Sequence, residues 1–224
     1  MTASPSDGQP SIVRLDADQI RVLAHPLRAR LLAALRSDGP ATATRLAEVL
    51  GTNTGATSYH LRQLAQAGLV VEEAERGTGR QRWWRAAHQL SNWHATDFDD
   101  QPDAAAAADW LYRNALRVHA EQAERWIETQ RDYPAEWREA AELSDCLLRL
   151  TPHQLRQLID ELHAVLDRYR HALVPVDTPP GGQEPAAPDG TERVLLYLHA
   201  FPVRGPIPLA APRPAAPAAD EETR

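Results

Sequence analysis

From residue 53 to residue 68 the sequence reads as a helix with Thr57, Leu61 and Leu64 on its inner face, which turns Thr54, Gly55, Ser58, Tyr59 and Arg62 outward. Hydroxyls and a guanidinium suit phosphate oxygens and the edges of bases in a groove. Gly55, near the helix start, permits close backbone approach where the helix dipole favours an anion. A solvated helix face is the plain alternative. Farther along, Arg76, Arg80 and Arg82 flank Gly77-Thr78-Gly79, a loop tip free of bulky side chains that fits along a minor groove. Glu72, Glu73 and Glu75 precede that tip and four arginines between Arg76 and Arg85 surround it, so charge is separated along the hairpin; an ordinary hairpin also has this form. Thr44 and Arg45 start the preceding helix, where Arg45 is placed to anchor a phosphate. His60 is read as packing beside Leu61 or bonding locally rather than reading a base.

These residues need a scaffold, and the spacing supplies one. Ile20, Leu23 and Leu27, then Leu31, Leu32 and Leu35, recur at helical intervals on either side of His25-Pro26, which predicts two helices meeting at His25. Gly39-Pro40 stops the chain. Thr42 or Thr44 caps a third helix carrying Leu46, Val49 and Leu50, and Gly51 stands where a helix end wants a left-handed residue. Asn53 or Thr54 opens the fourth helix, and LVVEEA and RWWRAA are strand-like runs around ERGTGRQ. Trp83 and Trp84 point to opposite faces of a strand, one into the core and the other toward the next domain. Their stacking on unpaired bases is the rival reading.

The order helix, helix, helix, turn, helix, hairpin is that of a winged helix-turn-helix. The His-Pro-Leu-Arg junction, Leu-Ala-x-x-Leu-Gly, Ser-x-His-Leu-x-x-Leu-x-x-Ala-Gly-Leu-Val and the Gly-Thr-Gly-Arg tip together resemble the ArsR-type bacterial repressors over residues 20–87, a third of the chain. That resemblance implies a dimeric transcriptional regulator that binds double-stranded DNA. Many ArsR-type repressors sense metals, and here the sequence departs from them. Cys146 is alone, read as an inert buried thiol in an amphipathic helix beside Leu147 and Leu148. His119, His153, His163 and His171 lack a spacing that aims several ligands at one point, so no metal and no cofactor are expected.

The charge balance is uneven. The chain of 224 residues carries a net charge of −7, which opposes nucleic acid. Yet residues 16–90 hold 10 Arg against 7 acids, and residues 91–224 hold 13 Arg against 23 acids. The acidic half permits a rival function, a protein-interaction module that docks a basic partner. No paired carboxylates, nucleophile with base, or phosphate-cradling loop emerges, so an enzyme is not expected. No apolar run is long enough to cross a membrane and the N-terminus lacks a secretion layout, which makes the cytoplasm the expected location.

The predicted fold class is mainly α with a small β-hairpin wing, a winged helix-turn-helix domain followed by a helical C-terminal domain. Residues 1–15 read as a disordered N-terminus, 16–90 as the DNA-binding domain, 91–102 as a linker and 103–174 as a helical dimerisation domain. Within the last, three helices are expected, the second running from Pro134 along Trp137, Ala141, Ser144 and Leu148. The third is capped by Thr151-Pro152-His153-Gln154, with a seam of Leu155, Leu158, Leu162, Val165, Leu166, Tyr169 and Leu173. Of the 18 prolines, 11 fall between Pro175 and Pro217, so 175–191 reads as a linker and 204–224 as a disordered tail. Between them 192–203 reads as a strand docking on a sheet or a partner. All six tryptophans lie between Trp83 and Trp137. They make the core and the dimer contact, or else Trp110, Trp126 and Trp137 line a pocket for a small apolar effector.

Overall fold

The computed structural model describes residues 12–73, 82–172 and 190–205. Local chemistry accounts for each helix start in the first block. Helix α1 (Ala17–Leu23) opens on a reciprocal cap: the Asp16 carboxylate accepts from the Gln19 N–H at 2.8 Å, and the Gln19 amide oxygen accepts from the Asp16 N–H at 3.1 Å. Helix α2 (Pro26–Ser37) has proline in its first turn, and the preceding His25 is extended with Nδ1 accepting from the Leu27 N–H at 3.2 Å. Helix α3 (Ala43–Leu50) is capped by Thr42, whose Oγ1 accepts from the Arg45 N–H at 3.2 Å, and it ends on Gly51 at φ 63°. Helix α4 (Thr54–Gln66) is capped by Asn53, whose Oδ1 accepts from the Ala56 N–H at 2.8 Å.

Two small sheets complete the block. Strands β2 (Ala41–Thr42), β4 (Trp83–Ala86) and β3 (Val70–Glu72) form an antiparallel sheet in the order β2-β4-β3, with Val70 opposite Ala86 and Thr42 opposite Trp83. The hairpin was legible in the sequence, whereas β2, two residues long, carries no strand signal of its own. Trp84 turns into the core and Trp83 is half-buried, as alternation along a strand requires. Strands β1 (Ile12–Arg14) and β5 (Leu90–Asn92) pair in parallel, Ile12 opposite Leu90 and Arg14 opposite Asn92.

One hydrophobic core joins these elements, with Ile20, Leu31, Leu61 and Leu64 fully buried at its centre. It extends past the expected boundary. The stretch 91–102 is not a linker: β5 lies in it, Trp93 packs against the core, and Phe98, in a 3-10 turn (Ala95–Phe98), is 3% exposed. Helix α5 (Pro102–Thr129) then supplies Ala104, Ala108 and Leu111 to the same core. The N-terminal expectation is corrected in the same way, because β1 and the buried Leu15 fall inside the segment read as disordered. Arg14 ties the two corrected segments together by pairing with Asp97, its Nε donating at 3.2 Å.

Beyond Leu111 no described residue is buried. Helix α5 continues for most of its 28 residues, about 42 Å in all at 1.5 Å per residue, with one side of its first third in the core. The expected second helix is cut short. Helix α6 spans only Ala135–Ala140; Ala141 is extended, and residues 141–150 hold no regular secondary structure. Leucines at 143, 147 and 150 have helical spacing, but the intervening Ser144, Asp145 and Cys146 are weak helix formers. Cys146 is therefore exposed, not buried in a helix. Helix α7 (Pro152–Ala172) starts as anticipated, the Gln154 N–H donating to Thr151 Oγ1 at 3.2 Å and the Thr151 N–H to Gln154 Oε1 at 2.9 Å. Leu173 lies outside the described residues.

A second, small unit begins at Glu192. Its described residues form neither helix nor strand, so the expected docking strand at 192–203 joins no sheet among the described residues, and Val194, Leu195, Leu196 and Phe201 are exposed. Among the described residues no helix is long and apolar enough to cross a membrane.

Candidate nucleic-acid interface

Helix α4 is held by its inner face. Thr57, Leu61 and Leu64 are each completely buried against α2, α3 and the hairpin, which leaves Thr54, Gly55, Tyr59 and Arg62 exposed and Ser58 half-buried on the outer face. Tyr59, at 54% exposed, presents its ring to solvent at the middle of that face. A Cβ on Gly55 would approach Asn53 Oδ1 to 3.3 Å, so the glycine keeps the cap undisturbed as well as the backbone open. No carboxylate occurs between Glu48 and Glu72. In a chain of net charge −7, an acid-free helix bearing an exposed arginine is a local reversal of sign.

The flanking arginines are less free than their positions in the sequence suggested. Thr44 and Arg45 are exposed in the first turn of α3, with Arg45 3.5 Å from the Glu48 carboxylate. At the base of the hairpin Arg82 lies 3.4 Å from Glu72 and Arg85 lies 3.2 Å from Glu73. The charge separation expected along the hairpin is thus closed across its strands at the base. Arg76, Thr78 and Arg80 lie outside the described residues.

A polar cluster at the back of α4 was not anticipated as a unit. His60 stacks on His25 with ring centroids 4.4 Å apart and meets the edge of Tyr59 at 5.1 Å. His60 Nδ1 and Arg28 Nε are buried and have no hydrogen-bond partner among the described residues. Burial pushes the His25 and His60 imidazoles below the usual histidine range, and the Arg28 guanidinium adds to this in both; His25 also acts on His60. Both shifts favour the neutral rings where the N-terminus of α2 meets α4. The signal was in the sequence, as a histidine before Pro26 and another in α4, but thirty-odd residues separate them and only the fold brings them together.

Residues 23–73, which run from the end of α1 to just past β3, match a family model described as a helix-turn-helix domain. These residues are a helix-turn-helix domain. With β2, β3 and β4 behind it, the helix-turn-helix domain is winged. No curated protein matches the chain. Among solved structures the chain is similar to the homodimeric winged helix-turn-helix DNA-binding domain of a possible ArsR-family regulator from Mycobacterium bovis. That likeness has 23% identity, 47% of this chain and 82% of that one covered, and a TM-score of 0.30. It is also similar to a possible transcriptional regulator for arsenical resistance (29% identity, 46% and 95% covered, TM-score 0.28). A third likeness is to an adhesin competence repressor from Streptococcus pyogenes (13%, 65% and 81%, TM-score 0.30).

The three tryptophans read as effector candidates stand in different settings. Trp110 packs against the core of the winged domain, Trp126 faces Tyr133 at 5.3 Å, and Trp137 is half-buried on α6. Neither of the two described surface hollows is lined by a tryptophan; one, of about 420 Å³, lies along α2 between Leu23, Leu32, Arg36 and Leu90. Among the described residues no cluster of histidine, cysteine and carboxylate side chains is arranged to hold a metal ion.

Proposed function

We propose that this protein is a transcriptional regulator that binds double-stranded DNA in a sequence-specific manner as a dimer. The observation that carries the reading is the acid-free outer face of α4, with Thr54, Gly55, Ser58, Tyr59 and Arg62 presented on a helix whose inner face is locked by Thr57, Leu61 and Leu64. That face enters the major groove, where Ser58 and Tyr59 reach base edges and Arg62 meets a phosphate. Thr44 and Arg45 at the start of α3 and Arg82 at the hairpin base flank it as backbone contacts, with Arg76, Thr78 and Arg80 at the wing tip. Binding to phosphate draws Arg45 and Arg82 from Glu48 and Glu72, pairs too exposed to hold them strongly. Two recognition helices related by a twofold meet successive major grooves about 34 Å apart. A small apolar effector, acting through the tryptophan-bearing helices α5 and α6, is the regulatory input this architecture allows.

Selection of bound duplexes from a random pool, followed by footprinting, tests this reading. A palindromic site with half-sites one helical turn apart is the expected result. Arg62→Ala should weaken binding to every duplex and lower the salt slope by about one, whereas Ser58→Ala and Tyr59→Phe should change which sites are preferred. Failure to bind any duplex in dilute salt would leave the acidic second half, at −10, as the functional surface and the protein as an interaction module for a basic partner.

A further inference from the structure

Residues 142–150 run without helix, turn or bend and are exposed throughout, Leu147 at 72%. They join no ladder among the described residues, although Leu143, Leu147, Leu148 and Leu150 make them one of the most apolar exposed stretches of the chain. Main-chain groups that join no ladder are open to pairing with a strand of another chain. We propose that residues 142–150 of two copies pair as antiparallel strands about a twofold axis at Leu147. The inference rests on the dimer in the reading above and gives that dimer a specific contact.

Charge selects both the occupant and the register. With the axis at Leu147, Asp145 of each copy stands directly opposite Arg149 of the other, giving two cross-strand ion pairs, and Leu147 meets its own copy. Ser144 then faces Leu150 and Cys146 faces Leu148. Moving the axis to residue 146 or 148 sets Asp145 and Arg149 against uncharged residues, so this sequence is complementary to itself in the register proposed. A two-stranded ribbon is marginal alone and needs a covering layer. Helix α7 follows directly at Pro152 with Leu155, Leu158, Leu162 and Leu166 in a stripe, and one copy from each end of the ribbon supplies that layer.

Charge reversal in the full-length protein tests this by sedimentation equilibrium. Asp145→Arg and Arg149→Asp should each weaken the dimer, about tenfold, because each replaces two attractive pairs by two repulsive ones. The double variant should restore wild-type association, since within one strand the two positions are too far apart to compensate each other. Neither site is buried, so the fold of the winged domain is unaffected. In a Cys146→Ser background, Leu147→Cys should cross-link two chains under diamide. Ser144→Cys and Leu150→Cys should cross-link only when the two variants are mixed, whereas parallel pairing would cross-link each alone. A wild-type dimer without charge rescue and without the residue-147 cross-link overturns the ribbon and leaves the dimer standing. A chain that stays monomeric at every concentration overturns both.

Discussion

Up to Leu111 the chain closes on itself, and after it the chain does not. The first region buries Leu15, Ile20, Leu31, Leu32, Leu61, Leu64 and Phe98 in one core, whereas the second leaves Leu143, Leu147, Leu148, Val165 and Tyr169 exposed at comparable apolar content. Hydrophobic residues alone therefore do not specify an interior. In the first region, capped helices of 7 to 13 residues alternate with tight turns, so successive apolar faces fold back on one another. In the second, α5 carries the chain away from the core for most of its length and the helices after it have no such return.

The sharpest way to break this contrast is to make equivalent truncations on both sides of it. Phe98→Ala should destabilise the winged domain by about 3–5 kcal/mol, since it empties a buried site that fastens the 91–101 stretch to α5. Leu61→Ala should cost about 2–5 kcal/mol and loosen α4 from its seat. Leu147→Ala, at an exposed position, should leave the melting of the winged domain unchanged while lowering the association constant. Thermal or urea unfolding of the three variants at one concentration, with sedimentation alongside, checks all of them. Equal losses of stability for Phe98→Ala and Leu147→Ala would erase the distinction between the regions. A smaller effect is expected at the interface itself, where Arg62→Ala should weaken duplex binding without moving the melting transition, as Arg62 is exposed on α4.

How far the sequence was legible follows the same divide. Caps, the Gly51 stop and the inner face of α4 are set by neighbours within a few residues, so Thr42, Asn53, Thr57, Leu61 and Leu64 could be read in order. Features made by distant pairing could not. The β1–β5 pair joins residues 12–14 to 90–92, so a short apolar run at the N-terminus and a polar-looking stretch after the wing each read as unstructured chain when taken alone. Phe98 and the alanines of α5 belong to a core whose other members begin at Leu15, more than 80 residues earlier. Residues 142–150 carry leucines at helical spacing, which points to a helix, while the weak helix formers Ser144, Asp145 and Cys146 work against it. The outer face of α4 was legible because a buried stripe defines its opposite, whereas the ion pairs of Arg45 and Arg82 depend on which rotamers the folded chain permits.

The most delicate comparison is one of acid response, because the seam between α2 and α4 holds two imidazoles in their neutral form. His25 and His60 have folded-state pKa values below the ordinary 6.5, lowered by burial and by Arg28. The unfolded chain thus takes up protons first as the pH falls. Stability from this seam is complete well above pH 6.5, declines as the pH falls through 6.5, and levels off once the folded-state values are passed. Protonation would place two imidazolium rings 4.4 Å apart beside a guanidinium whose Nε is already unpartnered. A His25→Asn, His60→Gln double variant keeps a side chain able to cap α2 and removes both titrating groups. Its melting temperature should change less than that of the wild type between pH 7.5 and 5. Duplex binding by the wild type should weaken over the same interval, because His60 abuts Tyr59 on the recognition helix. A double variant as acid-sensitive as the wild type over this interval would place the response in another group. The Asp97 carboxylate is held below its usual range by hydrogen bonds from Arg14 and the His94 N–H, so its contribution persists until lower pH and the two responses separate along the pH axis.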